Sequence, residues 1–477
     1  MPLYDKAFWL IAFFLIGVLL RSFFVEWSDA FFIIIVITGI FGLTLVLFKK
    51  YWFAVFAISI ILGSGYFGIF EQITNDTHIV IGRESEFQGM VKKIEYGRES
   101  QTIRLKLNEP YRGSIQLYAP RFPEYRYGDL LLVRGTINSI PDTYARYFEK
   151  ERISGTLRFA EITLMSHDNG SKILSGLFNI KRFTEHAFNR ALPEKQAAFL
   201  SGILLGETAE FSPEFKENLS RTGTNHLVAL SGYNISIIGK GIMAALGAWF
   251  SRRKTFVITT FAIFGFVIMT GAEASVVRAA IMGFLVLLAD RTERLYSFRN
   301  ALAIAAFFMI LMNPKLLLFD VGFQLSFAAV MGLVYVEPAL SRIFRPFRNP
   351  GIFGWRDNFF QTFSAQIAVF PILASVFGIF SPISLITNML VLLFIPLTMF
   401  LGFLIMLTSI LSTYISLIVA LITNVFLTYE LWVIDFFAKI PLQISFNESM
   451  FMFSALYYLA LIFFVFYTQK KVQEHAF

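Results

Sequence analysis

Apolar runs long enough to cross a bilayer recur along this chain and limit its fold more than any other feature. Three stand near the start, at residues 7–24, 30–48 and 52–70, each close to the roughly 17–25 residues that a spanning helix needs. Nine more follow at 226–250, 256–270, 274–289, 300–312, 321–336, 359–380, 384–411, 414–437 and 451–467, about twelve crossings in all. The runs at 300 and 321 are short and that at 384 is interrupted by Pro396, a pattern of broken or re-entrant helices such as line cavities. Composition agrees: 56% of the 477 residues are hydrophobic, 57 are Phe, and the mean hydropathy is +0.63. Soluble domains hold about 45–50% apolar residues.

The net charge of +8 reads as orientation and names no ligand, because the basic residues gather in short loops beside the apolar runs. Counting crossings places Lys49-Lys50, Arg252-Arg253-Lys254, Arg291 with Arg294 and Arg299, Arg342 with Arg345 and Arg348, and Lys470-Lys471 on one side. That side is the cytoplasm, with both termini. The absence of cysteine excludes disulfides, thiolate nucleophiles and cysteine-held metals. His78, His167, His186, His226 and His475 lack paired ligand spacing, so neither a metal nor a cofactor is expected. No small-residue cleavage site follows the first run, and no cleaved leader is expected.

Residues 76–168 differ in character, being charged, rich in turns and alternating in apolarity. Strands are expected at 87–94, 102–107, 114–118, 130–138 and 155–162. Five strands in this length suit a small β-barrel of OB-like type, which the crossing count puts outside the cytoplasm. Such barrels bind single strands by stacking bases on aromatics beside basic groups, and Lys92, Lys93, Tyr96, Arg104, Lys106 and Tyr118 are the candidate contacts, with Tyr111, Tyr125 and Tyr127 as further rings. Interleaved Glu86, Glu95, Glu99, Glu109 and Asp129 keep a merely solvated or protein-contacting surface open. The chain thus divides into 1–75 (three spans), 76–168 (the β domain), 169–225 (an amphipathic interfacial helix, then shorter ones) and 226–477 (the main membrane domain). The expected fold class is a polytopic α-helical membrane protein with an extracytoplasmic small β-barrel (OB-like) domain.

Within the membrane-grade sequence, residues 221–239 (RTGTNHLVALSGYNISIIG) set Asn225, His226, Ser231, Tyr233, Asn234 and Ser236 among apolar neighbours. Lipid offers no hydrogen bonds, so such groups face a partner helix or a wet cavity. On a continuous helix His226, Leu230 and Asn234 share a face, and Gly232 with Ser236 admits a close neighbour. A second island, GAEASVVRAAIM at 271–282, places Glu273 at a helix start and Ser275, Arg278 and Met282 on one face. Burying Arg at the bilayer centre costs about 2.5–3.5 kcal/mol, so Arg278 is expected to snorkel outward or face a wet path that suits an anion. Pairing with Glu273 is the structural alternative. Gln324 and Ser326, then Gln361, Ser364 and Gln366 ahead of Pro371, then Asn388, form smaller islands that serve equally well as helix glue.

Taken together these islands resemble the ComEC family of competence and DNA-internalisation membrane proteins. HLVALSGYNISII is similar to its central motif, and LLGE at 204–207, GAEASVVRAAIM, Arg291, RNAL from Arg299, NP at Asn313, GFQLSF at 322–327 and the Pro371 and Asn388 regions follow in the family's order. PDTYARYFEKERISG at 141–155 resembles the segment closing the family's OB-like domain. The resemblance implies a channel that passes single-stranded DNA across the cytoplasmic membrane in natural transformation. Its partners would be membrane lipid, a DNA receptor, a cytoplasmic helicase-type motor and a separate nuclease. Two departures stand out: Asn234 replaces the family's usual second histidine, and no H-x-H-x-D-H of a metallo-β-lactamase-like domain occurs. No phosphate-binding G-x-x-x-x-G-K-[ST] loop is present either, so energy coupling would have to come from elsewhere, and no catalytic residue is assigned. Two rival readings fit the same residues: a transporter of another anionic polymer or lipid, using the same Arg278, and, less well, an intramembrane serine hydrolase pairing Ser231 with His226.

Overall fold

The computed structural model describes residues 3–23, 38–40, 42, 44, 47–48, 51–74, 79–141, 145–230, 232–292, 296–344, 355–446 and 451–474. Ser231, most of the run at 30–48, Lys49-Lys50, Arg294, Arg345 and Arg348 lie outside them, as do the side chains of Tyr233, Arg291, Lys470 and Lys471. Among the described residues five helices are long and apolar enough to cross a membrane: Tyr4–Phe23, Tyr51–Thr74, Val321–Ile343, Arg356–Phe377 and Thr413–Ala438. Ser384–Val391 and Ile395–Leu411 are long and apolar enough only as a pair, bent by 47° beside Pro396, the geometry of a broken span or a re-entrant loop. Asn234–Gly247, Ala274–Ala289, Phe298–Met312 and Phe453–Thr468 are shorter apolar helices. The chain is a multi-pass helical membrane protein. Two of these shorter stretches belong to longer helices, Ala274–Arg291 and Phe451–Glu474, and among the described residues the extended Ala229 interrupts the run expected at 226–250.

Contacts gather the chain into two compact units that interleave in sequence, one of Met1–Asn179 with Gly232–Asp320, the other of Ile180–Ser231 with Val321–Phe477. In the first, the helices Leu3–Phe23 and Tyr51–Thr74 pack backbone to backbone. A Cβ on Gly17 would stand 2.1 Å from the Ile60 carbonyl oxygen, and one on Gly63 2.1 Å from that of Phe14. Apolar side chains gain nothing by leaving lipid for each other, so close approach and hydrogen bonds hold such pairs. Ser64 Oγ donates to the Gly17 carbonyl at 2.9 Å and Ser59 Oγ to that of Leu10 at 3.0 Å.

The β domain follows the expected alternation. Six strands, β1 Glu84–Tyr96, β2 Ser100–Leu107, β3 Ser114–Pro120, β4 Leu130–Thr136, β5 Gly155–Arg158 and β6 Glu161–Ser166, form one sheet in the order β5-β3-β2-β1-β4-β6. All pairs are antiparallel except β3 with β5. Every second residue, among them Ile103, Leu105, Ile115, Leu117, Leu131, Val133 and Leu157, is buried in one core, as a two-residue side-chain period requires. Two expectations are corrected. The sheet is not a closed barrel: beyond β4 a single bridge, Asn138 to Thr156, reaches β5. The segment 155–162 is two strands, because Phe159 turns the backbone with φ +58° and sends β6 to the far side of β4.

The same unit docks its β domain onto its own helices through the helix Ala145–Lys150. Lys315 Nζ lies 2.7 Å from Glu149 Oε1 and Lys150 Nζ 3.0 Å from Asp320 Oδ2. Asn313 Nδ2 donates to the Lys150 carbonyl at 3.0 Å while its Oδ1 accepts from Lys315 N at 3.2 Å. Arg152 lies over the Phe70 ring at 4.7 Å and donates to the Met312 carbonyl. The segment PDTYARYFEKERISG and the Asn-Pro pair at 313, separate in sequence, are thus two sides of one junction.

In the second unit Gly402 admits Leu200 and Leu204, a Cβ there meeting Leu204 Cδ1 at 2.5 Å. The run expected to stop at 336 continues to Ile343 through a π-helical turn, Gly332–Val336. A Cβ on Gly332 would stand 2.6 Å from the Ser364 carbonyl oxygen, so the turn sits where two helices nearly touch.

Candidate functional site

Each unit carries its own polar cluster, built largely from the islands singled out in the sequence. The expected continuous helix at 226–239 does not form. Asn225–Val228 is one short helix, Ala229 is extended (φ −79°, ψ 120°), and a new helix, Gly232–Gly247, begins in the other unit. His226 and Asn234 are therefore not one helical face, because the extended residue resets the rotation between them.

In the first unit, the start of the Gly232–Gly247 helix packs against the helix Ala274–Arg291. A Cβ on Gly232 would lie 3.3 Å from Ala279 Cβ and 3.7 Å from Arg278 Nη2, so the close neighbour expected at this glycine is the Arg278 helix itself. Asn234 is buried, and Arg278 is only 7% exposed. Its guanidinium is enclosed within the bundle instead of reaching outward, beside the end of a helix where backbone N–H groups leave positive potential. Glu273 precedes the Arg278 helix, its carbonyl accepting from Val276 and Val277, and Ser275 lies in its first turn. Ser236 Oγ turns back to the Gly232 carbonyl at 3.0 Å.

In the second unit, Gly223 (φ +64°) meets the bent pair so closely that a Cβ would stand 2.5 Å from Ser384 Cβ. Gln366 Nε2 donates to Ser384 Oγ at 2.8 Å, and Ser381 Oγ to the Arg221 carbonyl at 2.5 Å. The Gly223 carbonyl lies 3.2 Å from Nδ1 of the exposed His226. Asn388, one turn after Ser384, is buried with no hydrogen-bond partner for its Oδ1 among the described residues. The structure thus joins His226, Gln366 and the Asn388 helix around Gly223. Gln324 and Ser326 are half-buried on the helix Val321–Met331, which packs on Trp355–Phe377, and Asn225 is exposed. Gly223, Ser381 and Ser384 were not marked in the sequence; only the Thr-Gly pair hinted at a turn.

The outer face of the β sheet shows how its charges are used. Lys93 lies 2.8 Å from Glu95, and Arg104 2.7 Å from Glu151, which also meets Lys150. A shallow cavity of ≈ 30 Å³ lies among Lys93, Glu95, Thr102, Arg104, Gln116 and Tyr147, and Lys93 Nζ approaches the Gly271 turn (φ +89°). Burial raises the Glu151 carboxyl, but Arg104 and Lys150 more than offset this and hold it below the usual range. Arg104 therefore belongs to the docking junction. Lys92 and Lys106 differ: burial and then their mutual repulsion push the Lys92 amine down. Tyr118 lies on the same outer face as Arg104, under the Arg158 guanidinium at 5.1 Å. Tyr96 is tied to the Tyr125 carbonyl at 2.5 Å, and Tyr125 itself is buried. Among the described residues no group of three or more His, Asp or Glu is placed to hold a metal ion.

One intramembrane carboxyl was passed over in the sequence. Glu430, inside the span Thr413–Ala438, is completely buried and accepts a hydrogen bond from Thr398 Oγ1 at 2.7 Å.

The fold and these clusters define a polytopic helical membrane protein with polar groups buried among its helices and a β domain clamped to one helical unit. A family model described as "Competence protein" matches residues 203–471, over half of the chain, and the chain belongs to that ComEC-type family of competence proteins. It is 29% identical over 222 residues to ComE operon protein 3 of Bacillus subtilis (strain 168), an alignment that covers 46% of this chain and 27% of the relative's length. No solved structure matches it.

Proposed function

We propose that this chain passes single-stranded DNA across the cytoplasmic membrane during DNA uptake. The observation that carries the reading is Arg278, a family-motif arginine buried against the start of the Gly232–Gly247 helix. A guanidinium beside a helix start concentrates positive potential, which suits phosphate groups. A polyanion moves only past sites that hold it weakly, and a neutral group such as Asn234 in the same unit suits that need better than a further cation. The reading puts both termini in the cytoplasm and the β domain outside, where Lys92, Lys106 and Tyr118 meet the incoming strand. A DNA receptor, a helicase-type motor and a separate nuclease are its proposed partners.

The test is Arg278→Gln in a transformable host that depends on this chain. Transformation is expected to be lost at normal protein level, and Gly232→Leu is expected to fail by forcing the two helices apart. Wild-type transformation by the Arg278→Gln cells at normal protein level would sink the reading. Orientation is tested separately by an impermeant maleimide on single cysteines. Phe122→Cys is suited to this, since Phe122 is 72% exposed whereas Tyr125 is buried; labelling of Arg253→Cys in intact cells, with none at Phe122→Cys, would invert the topology.

A further inference from the structure

Among the described residues of the second unit, Glu430 is the most enclosed carboxyl, 0% exposed on a 26-residue apolar span. Its Oε1 accepts from Thr398 Oγ1 at 2.7 Å, and its Oε2 has no hydrogen-bond partner among the described residues. Thr398 lies in the first turn of Ile395–Leu411, just past the 47° break in the bent pair. Phe394, the last residue of that break, packs its ring on Phe426 and Tyr429 of the Glu430 helix, at 5.7 and 5.1 Å. The break and the carboxyl thus share one packed surface.

Four helices pack on this span: Ser384–Val391, Ile395–Leu411, Glu194–Leu205 and Pro213–Arg221. The first two carry no ionisable side chain. The others bring Glu194, Lys195, Glu214, Lys216, Glu217 and Arg221, and the span itself adds Tyr414, Tyr429 and Asp435. Lys195 pairs with Asp435 at 2.6 Å and Arg221 with Glu217 at 2.6 Å, and none of these groups bonds Glu430. A carboxylate ionised in apolar surroundings with one hydroxyl donor and no cation beside it is far costlier than the neutral acid. The packed arrangement therefore holds Glu430 as the acid, with the proton on Oε2. An anion there needs new donors, which water entering the break would supply. Proton occupancy and packing of the break are then linked, each shifting the other by the same free energy.

We propose that Glu430 is a proton-binding site of the second unit, holding its proton while the break at residues 392–394 is packed and releasing it to water when the break opens. This stands on the geometry of one unit and does not depend on DNA as the substrate. Because the packed form binds the proton more tightly, raising the pH favours the open form.

The chain has no cysteine, so Leu393→Cys, at a 40% exposed position inside the break, gives a single reporter in purified full-length protein in lipid nanodiscs. Its maleimide labelling rate, divided by the rate of the same reporter with Glu430→Gln, cancels the thiol's own ionisation. The ratio is expected to rise several-fold from neutral to alkaline pH; a ratio independent of pH overturns the proposal. The infrared difference spectrum at neutral pH between the parent chain and its Glu430→Gln variant is expected to show a protonated-carboxyl band, sensitive to deuteration, that only the parent has, and a difference spectrum without that band also overturns it. Should Glu430→Gln not accumulate, Thr398→Val removes the donor that favours the anion. The rise in labelling must then begin at higher pH, and an unmoved onset counts against the site.

Discussion

Gly63→Ala offers a sharp test of what holds the first helix pair together. The new Cβ would stand 2.1 Å from the Phe14 carbonyl oxygen, so the helices must separate by about 1 Å to reach an allowed contact. That retreat stretches the Ser64 and Ser59 hydrogen bonds, now 2.9 and 3.0 Å, beyond useful length. Bonds of this kind in membranes are worth about 0.6 kcal/mol each, and overpacking adds about 1–3 kcal/mol. Against this, Ala gains up to about 1 kcal/mol over Gly in a helix. Gly65→Ala, on the same helix and with no described atom within 4 Å of the new Cβ, collects only the gain. The two variants are therefore expected to differ by about 2–4 kcal/mol, with Gly63→Ala the weaker. Thermal unfolding of the purified full-length chain in detergent, followed by size exclusion, measures the difference. If Gly63→Ala melts with Gly65→Ala, backbone contact is not what joins these helices.

Two further outcomes follow from charges. Glu149→Lys should loosen the junction by about 1–3 kcal/mol, because it leaves Lys315 facing a like charge; adding Lys315→Glu should restore most of the melting temperature, and no restoration would show that the pair does not act as a pair. Glu185, pushed up to about 7 by burial and then by the Glu207 carboxylate, binds its proton more tightly in the folded chain than the ordinary 4.5 allows. Its contribution is therefore favourable below about pH 4.5 and is lost as pH rises toward 7. Glu185→Gln should raise the melting temperature at pH 8 and leave it unchanged at pH 4, and an equal effect at both would refute the assignment.

What could be read from the sequence was what repeats locally. Alternation in β2 and β3 gave strands whose buried residues form the core, and the Pro396 interruption marked a real bend. The break inside HLVALSGYN was hidden, since Ala229 and Leu230 are good helix formers and carry no local signal for an extended residue. The barrel closure failed for a similar reason: a left-handed Phe159 has no propensity signal, yet it decides which edge β6 joins.

The junction is the clearest case. Glu149 and Lys315 are 166 positions apart, and neither looks unusual where it stands: one reads as a solvated helix charge, the other as a loop lysine. Long-range pairs of this kind leave no periodicity to detect, so motifs that look like independent markers along the chain can be halves of one contact. Arg104 illustrates the consequence for function. A basic residue on a sheet face reads as a nucleic-acid contact until its carboxylate is located, and here Glu151 holds it for the bundle. If the β domain meets a strand as proposed above, the same logic favours Lys92 and Lys106, which repel each other, as the residues whose replacement would weaken that binding while leaving the junction intact.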